Sequence, residues 1–241
     1  SKIARMVRSG GGNLIVNLPP RTGKSEFLSR HVPAWYLERY PEKKVICAAH
    51  NTDLSRSHGR AVRNMLADNP YFTTRLSDDS TSASRWNTEE GGGMYCAGVD
   101  TGIMGFGGHL ILLDDPYPSW SSAHSLGYRN KVLSWFTNDL LSRKEPGCTV
   151  VILHQRMHVD DLSGVLLKEQ PGVWEHISIP AIAEEGDVLG RAVGEPICPD
   201  RYSIEDLLNI RRTQIGGDSG WLAMYQQRPT RIGSGLAYKR F

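Results

Sequence analysis

Short apolar runs alternate along the chain with stretches whose apolar residues recur at helical spacing. Leu14-Ile15-Val16-Asn17-Leu18 and Val45-Ile46-Cys47-Ala48-Ala49 each read as a buried strand. Leu110-Ile111-Leu112-Leu113 and Thr149-Val150-Val151-Ile152-Leu153 read the same way. Between them, Lys24 to Arg39 reads as a helix bent at Pro33. A further helix starts from an N-cap at Asp53, runs to about Ala67, and ends at Asn69-Pro70. Strands apolar on both faces and separated by helices predict an α/β fold with a mainly parallel sheet covered on both sides.

The pattern changes between the second and third strands. Residues 71 to 108 carry Ser/Thr/Asp clusters and two glycine-rich stretches, Gly91-Gly92-Gly93 and Gly98 to Gly108. They predict a short antiparallel excursion near Trp86 and Met94-Tyr95, then a loop back to the sheet. After about Pro180 the alternation stops. Ser203 to Arg212 reads as a helix with Ser203 and Asp206 as a capping box. Pro229 to Phe241, rich in Gly, Arg and Lys, reads as a linker.

Composition narrows the class only a little. The 241 residues suffice for one α/β domain with a small appended subdomain, and 39% hydrophobic with 22% charged residues is ordinary for a globular protein. A net charge of +2 gives no argument for a nucleic-acid partner, which would need a local basic patch. No apolar run approaches the roughly 20 residues of a membrane span, and no signal peptide is visible. Cys47, Cys96, Cys148 and Cys198 form no C-x-x-C pair, which argues against zinc. Cys47 and Cys148 are expected to be small core residues. A start at Ser1 without Met is expected of a piece of a longer protein.

Candidate chemistry sits at strand ends. Leu18-Pro19-Pro20-Arg21-Thr22-Gly23-Lys24-Ser25 follows a buried strand and opens a helix, the context a phosphate-binding loop needs. Backbone N–H groups from Pro20 to Ser25 would surround the phosphates, apart from Pro20 itself, which has none. Lys24 would reach the β and γ phosphates, and the Ser25 hydroxyl would ligate magnesium. The first glycine of the usual motif is replaced by Leu18. The second signal is Leu112-Leu113-Asp114-Asp115, two carboxylates at the carboxyl end of a buried strand, where ligands of open α/β sheets bind. Asp114 would hold the magnesium and Asp115 would polarise the attacking water. The same residues would also serve as a turn and helix cap.

The run from Asn17 to Ser25 resembles the phosphate loop of the large subunit of tailed-phage terminases, which are DNA-packaging motors. The likeness extends through Pro33-Ala34-Trp35-Tyr36-Leu37, Gly105-Phe106-Gly107-Gly108 and Leu112-Leu113-Asp114-Asp115-Pro116. It continues at Gln155 to Gly164, at Ile179-Pro180-Ala181-Ile182-Ala183 and at Tyr225-Gln226-Gln227-Arg228-Pro229, in the family's order. The resemblance implies an additional-strand P-loop ATPase, with ATP as substrate and Mg2+ as cofactor. It implies a core over residues 1–180, a small helical lid over 181–228, and a linker over 229–241 toward a nuclease domain absent from this chain. Its implied partners are double-stranded viral DNA, a portal protein, the small terminase subunit and copies of itself in a ring, pentameric by analogy. Its implied setting is the host cytoplasm, docked on a procapsid.

The resemblance also implies residue roles. Arg21 would act on the γ-phosphate in cis, or a neighbouring subunit would supply Arg129, Arg143 or Arg156. The family's glutamates beyond Asp-Asp-Pro have no counterpart in Tyr117 to His124, which leaves Asp115 as the base and His124 as a weaker candidate. The family's adenine contact before the loop has no glutamine here. Gln155 or His154, at the end of the fourth strand, would sense the γ-phosphate. Asp160 and Asp161 are expected to cap the next helix. Arg56, Arg60 and Arg63 at helical spacing would face DNA or simply solvent, and so would Arg228, Arg231, Lys239 and Arg240. A helicase core, or a nucleotide-binding assembly module without turnover, remains the alternative.

Overall fold

A computed structural model describes residues 2–78, 82–103, 105–214 and 218–230. Seven strands form one sheet in the order β3-β4-β2-β5-β6-β1-β7. They are β1 (Gly12–Asn17), β2 (Lys44–Ala49), β3 (Arg85–Asn87), β4 (Gly93–Gly98), β5 (Gly108–Asp114), β6 (Lys144–His154) and β7 (Glu175–Ser178). Every pairing is parallel except β3 with β4. β6 lies between β1 and β5, so one strand intervenes between the strand that carries the loop and the strand that carries the carboxylates. That insertion defines the additional-strand class.

The strands bury both faces because side chains alternate. Ile15, Ile46, Ile111 and Ile152 point into one core, and Leu14, Val45, Leu110 and Val151 into the other. The first core is closed by Val132 and Trp135 of α5 (Leu126–Trp135), by Phe136 and Leu140, and by Leu162 and Leu166 of α6 (Leu162–Glu169). The second is closed by α1 (Lys2–Arg8), α2 (Val32–Arg39) and α3 (Thr52–Asp68). Cys47 and Cys148 are core residues, as is Cys96. The short helix α4 (Trp120–His124) precedes α5. Beyond β7, Ala181, Leu207 and Trp221 form a separate small core with α7 (Ile204–Arg212) and α8 (Ser219–Met224). The Ser203–Asp206 capping box is present at the start of α7.

The antiparallel pairing expected near Trp86 and Met94-Tyr95 is present between β3 and β4, and β4 also runs parallel to β2 as a full strand of the sheet. Within the glycine-rich stretch before β4, Gly92 serves packing, because a Cβ there would collide with the carbonyls of Pro41 and Lys43. Three expectations need correction. The helix entered at Lys24 is α-helical only at first, and is a π-helix over Glu26–His31 before α2. The distortion lies just before Pro33, whose ring would clash with the carbonyl four residues back in a regular α-helix. Asn51, not Asp53, caps α3, accepting from Leu54 N at 2.8 Å. Asp161 caps α6 through Gly164 N, whereas Asp160 donates its own N–H to His158 Nδ1. The basic tail residues Arg231, Lys239 and Arg240 lie outside the described residues. Among the described residues no helix is long and apolar enough to cross a membrane.

Candidate active site

The carboxyl ends of β1, β5 and β6 bring the sequence candidates together. β1 ends at Asn17, and the chain turns through Leu18 to Gly23 before entering the helix at Lys24. Gly23 has φ +79° and Arg21 has φ +58°. Left-handed backbone of this kind turns N–H groups inward and builds an anion-binding hollow. It is open to glycine, but at Arg21 it costs on the order of 1–3 kcal/mol, strain of the sort that collects at ligand sites. Thr22 Oγ1 closes the turn by donating to the Pro19 carbonyl at 2.9 Å. Leu18, where the usual motif has glycine, packs against the core beneath β1 instead.

β5 delivers the two carboxylates. Asp114 is wholly buried. Its Oδ2 accepts from Ser29 Oγ at 2.7 Å and lies 3.2 Å from His58 Nε2. Burial alone would raise its carboxyl, but the neighbouring His58, Ser29 and Ser25 side chains outweigh this and hold it below the ordinary range. Asp115 follows in a left-handed conformation, φ +44°. Its N–H donates to the Leu153 carbonyl at 2.8 Å, and its Oδ2 is 2.8 Å from Lys24 Nζ. Burial pushes its carboxyl upward; Lys24 opposes this and Asp114 adds to it, for a net rise. Adjacent carboxylates driven apart in this way suit different tasks, one a permanent anion and the other a proton acceptor.

Asp114 Oδ1 and Asp115 Oδ1 are both buried without a protein partner. Orphaned carboxylate oxygens beside the Ser25 hydroxyl are hard oxygen donors of the kind magnesium takes, so the residues present fit that ion. Gln155, just after β6, likewise has a buried Oε1 without a partner. An apolar cleft of about 530 Å³ opens directly off Gly23 and Lys24, lined by Ile3, Leu18, Phe27, Ile179, Val188 and Leu189. Phe27, Val188 and Leu189 are each more than half exposed there, at 59%, 59% and 56%.

Several candidates fall elsewhere. His154 is buried, with Nε2 2.6 Å from Ser163 Oγ and Nδ1 2.7 Å from the Gln155 carbonyl, so neither nitrogen is free for a phosphate. Arg156 is no intersubunit finger. Its Nε donates to both oxygens of Asp161, at 2.9 and 3.0 Å, inside the core. Arg129 donates to the Ala123 carbonyl, and Arg143 lies at the surface against Asp139 and Ser142. Arg21 is exposed, with Tyr225 within electrostatic reach. His124 stacks near Trp120 and meets His158 edge-on. No cluster of metal-binding side chains forms among the described residues. Sequence reasoning missed Ser29 and His58. The signal was available for His58, which repeats at helical spacing with the buried Ser55, Val62 and Leu66.

The Arg156–Asp161 pair makes a structural prediction. Their side chains are 10% and 0% exposed. Arg156→Ala would strand the buried carboxylate, a loss of about 3–5 kcal/mol and a fall in Tm of roughly 10 °C. Burial would raise Asp161, but Arg156, His154 and the surrounding hydrogen bonds lower it. A depressed folded pKa stabilises above the ordinary carboxylate range, and that gain fades as pH falls through the folded value. The Tm gap between wild type and variant should therefore narrow in acid.

Fold and site together define an additional-strand P-loop domain. Among solved structures, the Thermus phage P74-26 large terminase ATPase domain, an arginine-to-alanine mutant, aligns with a TM-score of 0.58 at 15% identity, covering 92% of this chain and 91% of that one. The HK97 bacteriophage large terminase aligns with a TM-score of 0.51 at 11% identity, covering 78% of this chain and 40% of that one. At such identities the likeness is one of fold, and this chain has the fold of the phage large-terminase ATPase domains. No family model and no curated protein matches it in sequence.

Proposed function

We propose that this chain is an ATP-hydrolysing motor domain that drives double-stranded viral DNA into a procapsid. The observation that carries the reading is the 2.8 Å contact between Lys24 and Asp115, with a strained phosphate loop on one side and two orphaned carboxylate oxygens on the other. The fold shared with large-terminase ATPase domains supplies the motor context. Ser25 and Asp114 would hold Mg2+, which supplies positive charge to the β and γ phosphates. The nucleoside lies in the apolar cleft and covers Phe27, Val188 and Leu189.

In this mechanism the triphosphate draws Lys24 away from Asp115 and onto its own oxygens. Asp115, released, takes a proton from a water as that water attacks the γ-phosphorus. The bond from γ-phosphorus to the bridging oxygen breaks, and ADP leaves. Gln155 orients the water, and Arg21 spreads charge over the γ-oxygens. Residues 181–228 act as a lid. Copies of the chain form a ring on a portal protein, with the small terminase subunit presenting the DNA.

The test is phosphate release measured against chain concentration, with and without MgCl2 and linear duplex DNA. The expected result is Mg-dependent release whose rate per molecule rises with concentration, as neighbouring subunits complete each site. Nucleotide binding without release under every condition would leave only an assembly module. Absence of binding would overturn the site.

A further inference from the structure

Asp114 has two carboxylate oxygens, and the fold treats them differently. Oδ2 accepts from Ser29 and faces His58, while Oδ1 is buried without a partner. His58 sits on the inner face of α3 and is 2% exposed. Its other ring nitrogen, Nδ1, accepts from Arg30 Nε at 3.2 Å. A guanidinium only donates, so this bond leaves the proton of the neutral ring on Nε2, on the side of Asp114. The ring is therefore set as a donor toward Oδ2 from 3.2 Å, although not in line with it.

The π-helix explains how one short segment reaches this place with several groups. In an α-helix, residues five apart point roughly 140° away from each other, from 3.6 residues per turn. The i→i+5 bonding over Glu26–His31 turns Arg30 back toward the side of Ser25 and Ser29. Ser29 thus serves Asp114 directly and Arg30 through His58, while Ser25 lies near enough to help lower the Asp114 carboxyl. The strand supplies the carboxylate, the loop helix supplies two hydroxyls, and α3 supplies the imidazole.

We propose that His58, oriented by Arg30, is a positioning residue for the divalent cation: with Ser29 it holds Oδ2 of Asp114 and presents Oδ1 to the ion. This rests on the magnesium and nucleotide roles proposed above. Partners of this outer kind typically contribute 10- to 100-fold in metal affinity. The imidazole acts through the carboxylate and touches neither nucleotide nor water.

The test uses a fluorescent, non-hydrolysable ATP analogue and reads its binding as MgCl2 is titrated, alongside binding in EDTA. His58→Ala should raise the half-saturating magnesium concentration roughly tenfold or more, with EDTA binding unchanged. His58→Gln, whose amide nitrogen can replace the Nε2 donor, should restore most of the difference. Ser29→Ala, a small change on the same oxygen, should raise it several-fold and keeps the test standing if His58→Ala does not fold. Wild-type magnesium dependence in a folded His58→Ala or Ser29→Ala variant would overturn the proposal. So would equal weakening with and without magnesium. If wild type binds the analogue no better than Lys24→Ala does, the nucleotide reading itself has failed, and the positioning role falls with it.

Discussion

Lys24→Ala is expected to lower phosphate release by at least about 10³-fold, or roughly 4 kcal/mol of lost transition-state stabilisation, while the fold remains intact. The side chain is 8% exposed and projects from the first helical turn after the loop. Alanine keeps the helix, the left-handed φ at Gly23 and the backbone N–H groups, so the hollow survives. What disappears is the ammonium that the mechanism brings onto the β and γ phosphate oxygens, where charge grows. The cost to stability should be modest despite the broken ion pair. The Asp115 carboxyl is already raised by burial and by Asp114, and without Lys24 it can take up a proton instead of remaining an unpaired anion. Circular dichroism and a thermal melt would verify the fold, and a phosphate-release assay would verify the loss. An unchanged rate in a folded variant would remove the phosphate site from this loop altogether.

The strands that position this site were legible because parallel strands buried on both faces leave an unbroken apolar run, and Leu14 to Val16 and Leu110 to Leu113 are such runs. β7 was not legible. It pairs with β1 only, as a sheet edge, and Glu175-His176-Ile177-Ser178 needs no apolar alternation to do so. Only the β3-facing side of β4 was legible, at Trp86 and Met94-Tyr95. Its parallel pairing with β2 was not, because Gly92 and Gly93 read as a turn while packing tightly, Gly92 against Pro41 and Lys43 and Gly93 against Trp86 and Asn87. Within the site, Lys24, Ser25, Asp114 and Asp115 could each be picked out by position relative to a strand end. Their pairing could not, because it depends on sheet order. With β6 between β1 and β5, Lys24 Nζ lies 2.8 Å from Asp115 Oδ2. Local sequence also misled at Arg156, which carries a finger-like guanidinium but has its carboxylate five residues ahead, across the turn into α6. His58 lies on the buried face of α3, with Ser55, Val62 and Leu66, away from the exposed Arg56 and Arg60 that the same helix presents outward.

Asp115→Asn is expected to separate binding from turnover, moving the two in opposite directions. In the resting protein Asp115 Oδ2 holds Lys24 Nζ at 2.8 Å, so an incoming triphosphate must first break that contact. Asparagine keeps the size of the side chain but has no charge with which to hold the ammonium. Lys24 is then available to the phosphates from the outset, and affinity for the ATP analogue should rise several-fold. Turnover should move the other way, by roughly 10²- to 10⁴-fold, because an amide cannot accept the proton of the attacking water. Equilibrium binding and phosphate release, measured on the same preparation, give the two signs directly. Tighter binding with lost release identifies Asp115 as both the latch on Lys24 and the base. Binding and release falling together would show instead that Asp115 only shapes the loop, and the base would have to be sought at Gln155 or in a neighbouring copy.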